Sequence, residues 1–155
     1  MKSASSRTLG RSGAVSFELI IVFMTFFTFF LAICDLGRFW VTTNSVRTLA
    51  SELVRQTLIY CGNQDTITAG SQTTICTLPA TGVNSVATAE ASVPFLGTAV
   101  GTNGFVTAPS ASRAAMNTTT GVMPITASVS YYFSFMLPVW RGTITQVSQS
   151  TQLGY

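Results

Sequence analysis

An α+β architecture is what this sequence predicts: one long N-terminal helix whose outer half packs on a small antiparallel sheet. Three observations predict it. The chain carries a charge-free apolar run between Leu19 and Cys34, interrupted only by Thr25 and Thr28. A helix-period stripe without proline continues that run to Tyr60. Near the C-terminus, Ile125 to Leu137 alternates apolar and mainly polar residues with a period of two.

The first element is the apolar segment. As a helix, Ala14 to Cys34 is about 31 Å long, close to the hydrocarbon thickness of a bilayer. Lys2, Arg7 and Arg11 precede it with no acidic residue, whereas Asp35 and Arg38 cancel after it. The excess of positive charge places the N-terminus in the cytoplasm and everything after about Asp35 outside. A soluble core helix of this composition would need more partner surface than so small a chain can supply. Residues 14–35 are therefore expected to span a membrane, with 36–60 continuing the helix beyond it.

Three processing fates fit such a start. A secretory signal peptide needs a charge-free apolar region, and Glu18 sits inside this one. A lipoprotein signal would use Cys34, but the bulky Ile33 precedes it, so Cys34 reads better as an apolar helix residue. The third fate follows from Arg11-Ser12-Gly13 and Ala14-Val15-Ser16-Phe17-Glu18. This junction resembles a prepilin-peptidase site, which makes residues 1–13 a leader cut between Gly13 and Ala14, with Glu18 fifth in the mature chain. A carboxylate inside a bilayer costs a few kcal/mol and normally marks a function. A new α-amino group at Ala14 would be largely cationic at neutral pH, and Glu18 can neutralise it within one chain or between neighbours. The plainer alternative is that Glu18 only snorkels to the headgroups.

Past the membrane, Leu36, Phe39, Val46, Ala50 and Leu53 recur at helical spacing, with Thr43 filling the missing step. Trp40, Leu49, Val54 and Leu58 widen the stripe, and Asn44, Thr48, Ser51, Glu52 and Arg55 form the polar face. Glu52 and Arg55 are spaced to pair. Gly62 and Asn63 are stop signals, Gly37 is the expected bend, and Arg38, Phe39 and Trp40 suit an interfacial anchor.

Arg11-Ser-Gly-Ala-Val-Ser-Phe-Glu18, the apolar run, Asp35-Leu-Gly-Arg38 and Leu49-Ala-Ser-Glu-Leu-Val-Arg55 together resemble the TadE/TadF family, minor pseudopilins of the tight-adherence (Flp) pilus. The stretch Arg55 to Tyr60 leans towards TadF, and Met24 stands where many TadE-like sequences carry a helix-kinking proline. The resemblance implies a pilin-like fold and a structural role in pilus assembly, initiation or tip, supporting adherence. It also implies trimming by a prepilin peptidase and location in the bacterial inner membrane, with the C-terminal domain periplasmic or extracellular. The implied partners are other pilins and pseudopilins and the inner-membrane assembly platform. The competing reading is a single-pass or lipid-anchored envelope protein with no pilus role.

Residues 61–155 form the expected exported Ser/Thr/Gly-rich β domain. Cys61 and Cys76 are the only cysteines outside the apolar run, and an oxidising compartment favours a disulfide between them. A loop of that size would stabilise the fold by about 3 kcal/mol. Val86 to Val93 and Gly104 to Thr107 read as weak strands, and Ala99 to Gly121 as mostly a long loop containing the sequon-like Asn117-Thr118-Thr119. The clearest strand puts Ile125, Ala127, Val129, Tyr131, Phe133, Phe135 and Leu137 on one face. Pro138 stops it, Gly142 turns the chain, and Thr143 to Ser148 returns. A lone hairpin is marginal, so at least three strands are expected, covered by the outer half of the helix.

Composition narrows the function classes. The net charge is +3, and Arg38, Arg47, Arg55, Arg113 and Arg141 form no cluster, which argues against nucleic acid. The chain has no histidine, which excludes a His-based triad and removes the commonest metal ligand, so neither a metal site nor a cofactor is expected. Outside the apolar run and its helical continuation the acids are Asp65 and Glu90, with no lysine, and Ser or Thr without a base is not a nucleophile. No enzyme is expected.

Overall fold

The computed structural model describes residues 11–67, 74–97, 100–101, 104–117, 119–120, 122–136 and 144–153. Residues 1–10 of the expected leader lie outside the described residues, as do Leu137, Pro138, Arg141, Gly142 and Thr143. The architecture is α+β, as the sequence predicts. Helix α1 (Arg11–Ile67) is followed by β1 (Cys76–Thr77), α2 (Val86–Glu90), β2 (Phe105–Arg113), β3 (Ile125–Ser134) and β4 (Ile144–Leu153). The strands form one antiparallel sheet in the order β1-β2-β3-β4.

Two physically different halves make up α1. From Val15 to Phe30 every residue is exposed, and all but Ser16, Glu18, Thr25 and Thr28 are apolar. A helix apolar on all sides is one that a lipid phase or other helices must cover. It is the one described helix long and apolar enough to cross a membrane. Its two threonine hydroxyls are satisfied internally: Thr25 Oγ1 donates to the Ile21 carbonyl at 2.9 Å and Thr28 Oγ1 to the Met24 carbonyl at 2.8 Å. Each thus bonds one turn back, so neither brings an unpaired polar group into lipid.

The outer half is amphipathic and carries the core. Val46, Leu49, Ala50, Leu53 and Val54 are buried against Ile125, Ala127 and Val129 of β3, Phe105 and Ala111 of β2, and Val86 and Ala89 of α2. The period-two face of β3 is as predicted, with Ile125, Ala127, Val129 and Phe133 buried, but β3 ends at Ser134 and leaves Phe135 of the expected strand beyond it. Leu36 and Trp40, expected in the helix stripe, are instead exposed. The sheet ends level with Asp35 and Phe39, and none of the described residues covers Leu36 and Trp40 there. The helix runs unbroken through Gly37 and continues past the expected stop at Gly62 and Asn63 to Ile67.

Two sequence expectations are corrected. Val86–Val93 is not a strand: Val86–Glu90 is a short helix whose N-cap, Ser85, accepts the Thr88 N–H at 3.3 Å. The cap, two alanines in five residues and the left-handed Asn84 just before it outweigh the β preference of Val86. Nor is Ala99–Gly121 loop throughout: β2 takes in the strand expected at Gly104–Thr107, extends it to Arg113, and pairs with β3 from Phe105↔Tyr131 to Arg113↔Ile125. Between Thr107↔Ser130 and Ser110↔Ser128, β2 carries an extra residue, where Pro109 breaks the register. β3 and β4 pair without interruption from Ile125↔Leu153 to Ser134↔Ile144, which makes β4 longer than the return expected.

Candidate functional site

The residues singled out in the sequence occupy three levels along α1. At the first, Gly13 and Ala14 are helical, within the first turns of α1. Glu18 is exposed and shares a shallow notch with Val15, Leu19, Val22, Phe23 and Phe26. Helical spacing puts these residues on one face, so a single carboxylate sits in an otherwise apolar strip. Phe23 and Phe27 stack at 6.0 Å along the same helix. Cys34 is a free, exposed cysteine at the end of this stretch.

The second level is the foot of the sheet, where the apolar half ends. Asp35 is only 1% exposed although it lies on the rim of the uncovered half. Its Oδ2 accepts the backbone N–H of Met136 at 2.9 Å, across 101 residues of chain. Its Oδ1 accepts from Arg38 Nη1 at 3.1 Å. A buried carboxylate needs such donors, and here they come from its own helix and from the chain just past β3. The Arg38 guanidinium also lies 5.6 Å from the centre of the Phe133 ring. Phe39, expected at the interface, turns inward, its ring 5.5 Å edge-on from Phe133 and 6.2 Å stacked on Phe135. Trp40 is 66% exposed.

The third level is the far end of α1. Cys61 and Cys76 form a disulfide. Cys76 stands opposite Arg113 in the sheet, and the Arg113 side chain reaches Asp65 on the last turns of α1. Nη2 donates to Asp65 Oδ1 at 2.9 Å, Nη1 bonds Oδ2, and Arg113 is 1% exposed. A covalent bond and a bidentate ion pair therefore fasten the helix end to β1 and β2. On the polar face, Arg55 Nε and Nη2 donate to the two Glu52 oxygens at 2.9 and 2.6 Å. The Arg55 hydrogen bonds hold the Glu52 carboxyl below its usual range against partial desolvation, while burial pushes Glu90 up.

The Asp35–Met136 and Asp65–Arg113 contacts were not predicted. The close spacing of Asp35 and Arg38 is visible in the sequence, but neither long-range partner has a local signal. Among the described residues no group of three or more His, Cys, Asp or Glu is placed to hold a metal ion.

Fold and site together define a class: an anchored chain whose uncovered apolar helix carries one acid and whose small β head is fastened to the same helix at both ends. Within it, residues 13–55 match the family model described as TadE-like protein. That stretch covers a little over a quarter of the chain, runs from Gly13 to Arg55, and agrees with the resemblance read from the sequence. No curated protein and no solved structure matches the chain.

Proposed function

We propose that the chain is a non-catalytic, pilin-like subunit of a Tad/Flp-type pilus system, acting in assembly, initiation or at the tip. In this reading residues 1–13 are a leader removed by a prepilin peptidase between Gly13 and Ala14. Residues 14–35 hold the chain in the inner membrane with the N-terminus cytoplasmic, and 36–155 lie outside, the helix continuing to carry the β domain. Other pilins and pseudopilins and the assembly platform are its partners. The observation that carries the reading is the strip around Glu18: a lone carboxylate on an uncovered apolar helix, within a TadE-like match that begins at Gly13. Such a helix can leave lipid only for a setting equally apolar, which a bundle of similar helices provides, and an acid there needs a cationic partner. The freed amine of Ala14, on the same or a neighbouring chain, is that partner.

The mature N-terminus tests this directly. Mass spectrometry of the chain isolated from membranes of cells with the peptidase is expected to find Ala14 first. An intact Met1 would leave a simple anchor, and a chain beginning at lipidated Cys34 would make it a lipoprotein; either result overturns the proposal.

A further inference from the structure

Beside Arg38, at the foot of the sheet, a cleft of about 510 Å³ opens between α1, the end of β3 and the loop after α2. Arg38, Thr42, Tyr132 and Ser134 supply its polar lining, and Phe95 and Phe133 its apolar walls. We infer that this cleft seats a phospholipid headgroup of the membrane that the helix crosses, with Arg38 and the hydroxyls of Tyr132 and Ser134 holding the phosphate, while the Thr42 hydroxyl is taken by the Arg38 carbonyl. The inference rests on the membrane-spanning part of the reading above and on no other part of it.

Position along the helix comes first. Arg38 is four residues beyond Cys34, about 6 Å of helix rise, which is the depth of the headgroup layer outside the hydrocarbon. Chemistry comes second. Arg38 gives Nη1 to Asp35, its side chain is 51% exposed, and its Nε and Nη2 have no hydrogen-bond partner among the described residues. A guanidinium fixed by a carboxylate and an aromatic face, with donors to spare, suits a phosphate oxygen pair. The rim comes third. Phe95, which lines the cleft, is 83% exposed and Met136, bonded to Asp35, is 72% exposed; with the exposed Trp40 they put apolar side chains from three separate segments along the first turns of α1 past Cys34. Apolar rings around a polar centre are what an interfacial surface presents to lipid.

A second copy of the chain is the rival occupant, and its charges argue against it. Of its acids, Glu18 lies in the apolar span, Asp35 is buried, and Asp65 and Glu52 are bonded to arginines, which leaves Glu90 alone to meet Arg38.

The full chain in nanodiscs of phosphatidylethanolamine, of phosphatidylglycerol, or of a phosphate-free diacylglycerol glycolipid provides the test, read by native mass spectrometry. Either phospholipid is expected to stay bound at one molecule per chain, and the glycolipid is not. Arg38→Gln should weaken retention about tenfold, the loss of one charge-assisted bond to phosphate, and Arg38→Lys should restore part of it. Phe95→Ser, which touches no contact of Asp35, should weaken retention with the fold unchanged by circular dichroism. Equal retention of the glycolipid, retention unaffected by both Arg38→Gln and Phe95→Ser, or phospholipid displaced by chain dimers would each overturn the inference. Extraction at alkaline pH separates the two readings: a chain washed out of the bilayer defeats the membrane reading itself, whereas one that stays without retained lipid defeats this inference alone.

Discussion

Arg113 is a cation with 1% of its surface exposed, and its carboxylate partner Asp65 lies 48 residues earlier in the chain. Removing one partner of such a pair leaves a buried charge, which is more costly than never having had the pair. Asp65→Ala is therefore expected to destabilise the fold by about 3–5 kcal/mol, measured by denaturant unfolding in detergent. A loss no larger than that of an exposed pair would mean that Arg113 is solvated. The two acids with displaced pKa values act in opposite directions. Glu52, held low by Arg55, contributes stability above the ordinary glutamate range and loses it as the pH falls through its lowered pKa. Glu90, pushed up by burial, binds its proton more tightly when folded, so its ionisation lowers stability as the pH rises. Glu90→Gln should thus raise Tm slightly at neutral pH and not in acid, and Glu52→Gln should lower it at neutral pH. Thermal unfolding across a pH series checks both signs. The Glu52–Arg55 pair could be read from spacing alone because its partners share a helix turn. Asp65–Arg113 and Asp35–Met136 could not, because their partners meet only through the path of the sheet.

At the level of elements, the disulfide and β3 are the well-signalled parts. Two cysteines outside the apolar run admit one intramolecular pairing, and an alternation ten residues long has one amphipathic solution. Opening the Cys61–Cys76 bond with Cys61→Ser is expected to cost about 3 kcal/mol and to loosen β1, a strand of two residues held to β2 at Arg113 and Ser112. Hydrogen exchange at Leu78, whose N–H donates to the Ala111 carbonyl, should rise with it; protection equal to that of the intact chain would show β1 standing without the bond. Elements made of small residues were harder to read. Past Thr107, β2 is Ala-Pro-Ser-Ala-Ser-Arg, a composition that reads as loop, and its ladder to β3 decides the matter. Val86–Glu90 is decided by its cap. Gly62 and Asn63 lose their power to end α1 because Cys61 and Asp65 tie the turns around them to the sheet. Local propensity is a weak prior wherever tertiary bonds of this strength compete with it.

For the molecule as a whole, the apolar half and the head are separable in stability. Glu18→Ala leaves every described contact of the β domain intact, so Tm and membrane insertion should match the parent, while incorporation into pili should fall at least about tenfold if an ion pair in a low-dielectric bundle is lost. Pili that assemble normally with that variant would reduce Glu18 to a tolerated acid. The anchor and the fold class were legible because a bilayer and a two-sided sheet impose long, regular patterns. The clasp at Asp35 was not, because among the described residues its long-range bond joins one side chain to one backbone N–H. That clasp has a mechanical consequence. The head is bolted to its shaft at Asp35 and again around Cys61 and Asp65, points about 45 Å apart along one helix. With two fixings the head cannot swivel, so any rotation of the helix about its axis turns the sheet through the same angle. The azimuth at which the apolar half settles among its neighbours would then set the direction in which the exposed face of the sheet points.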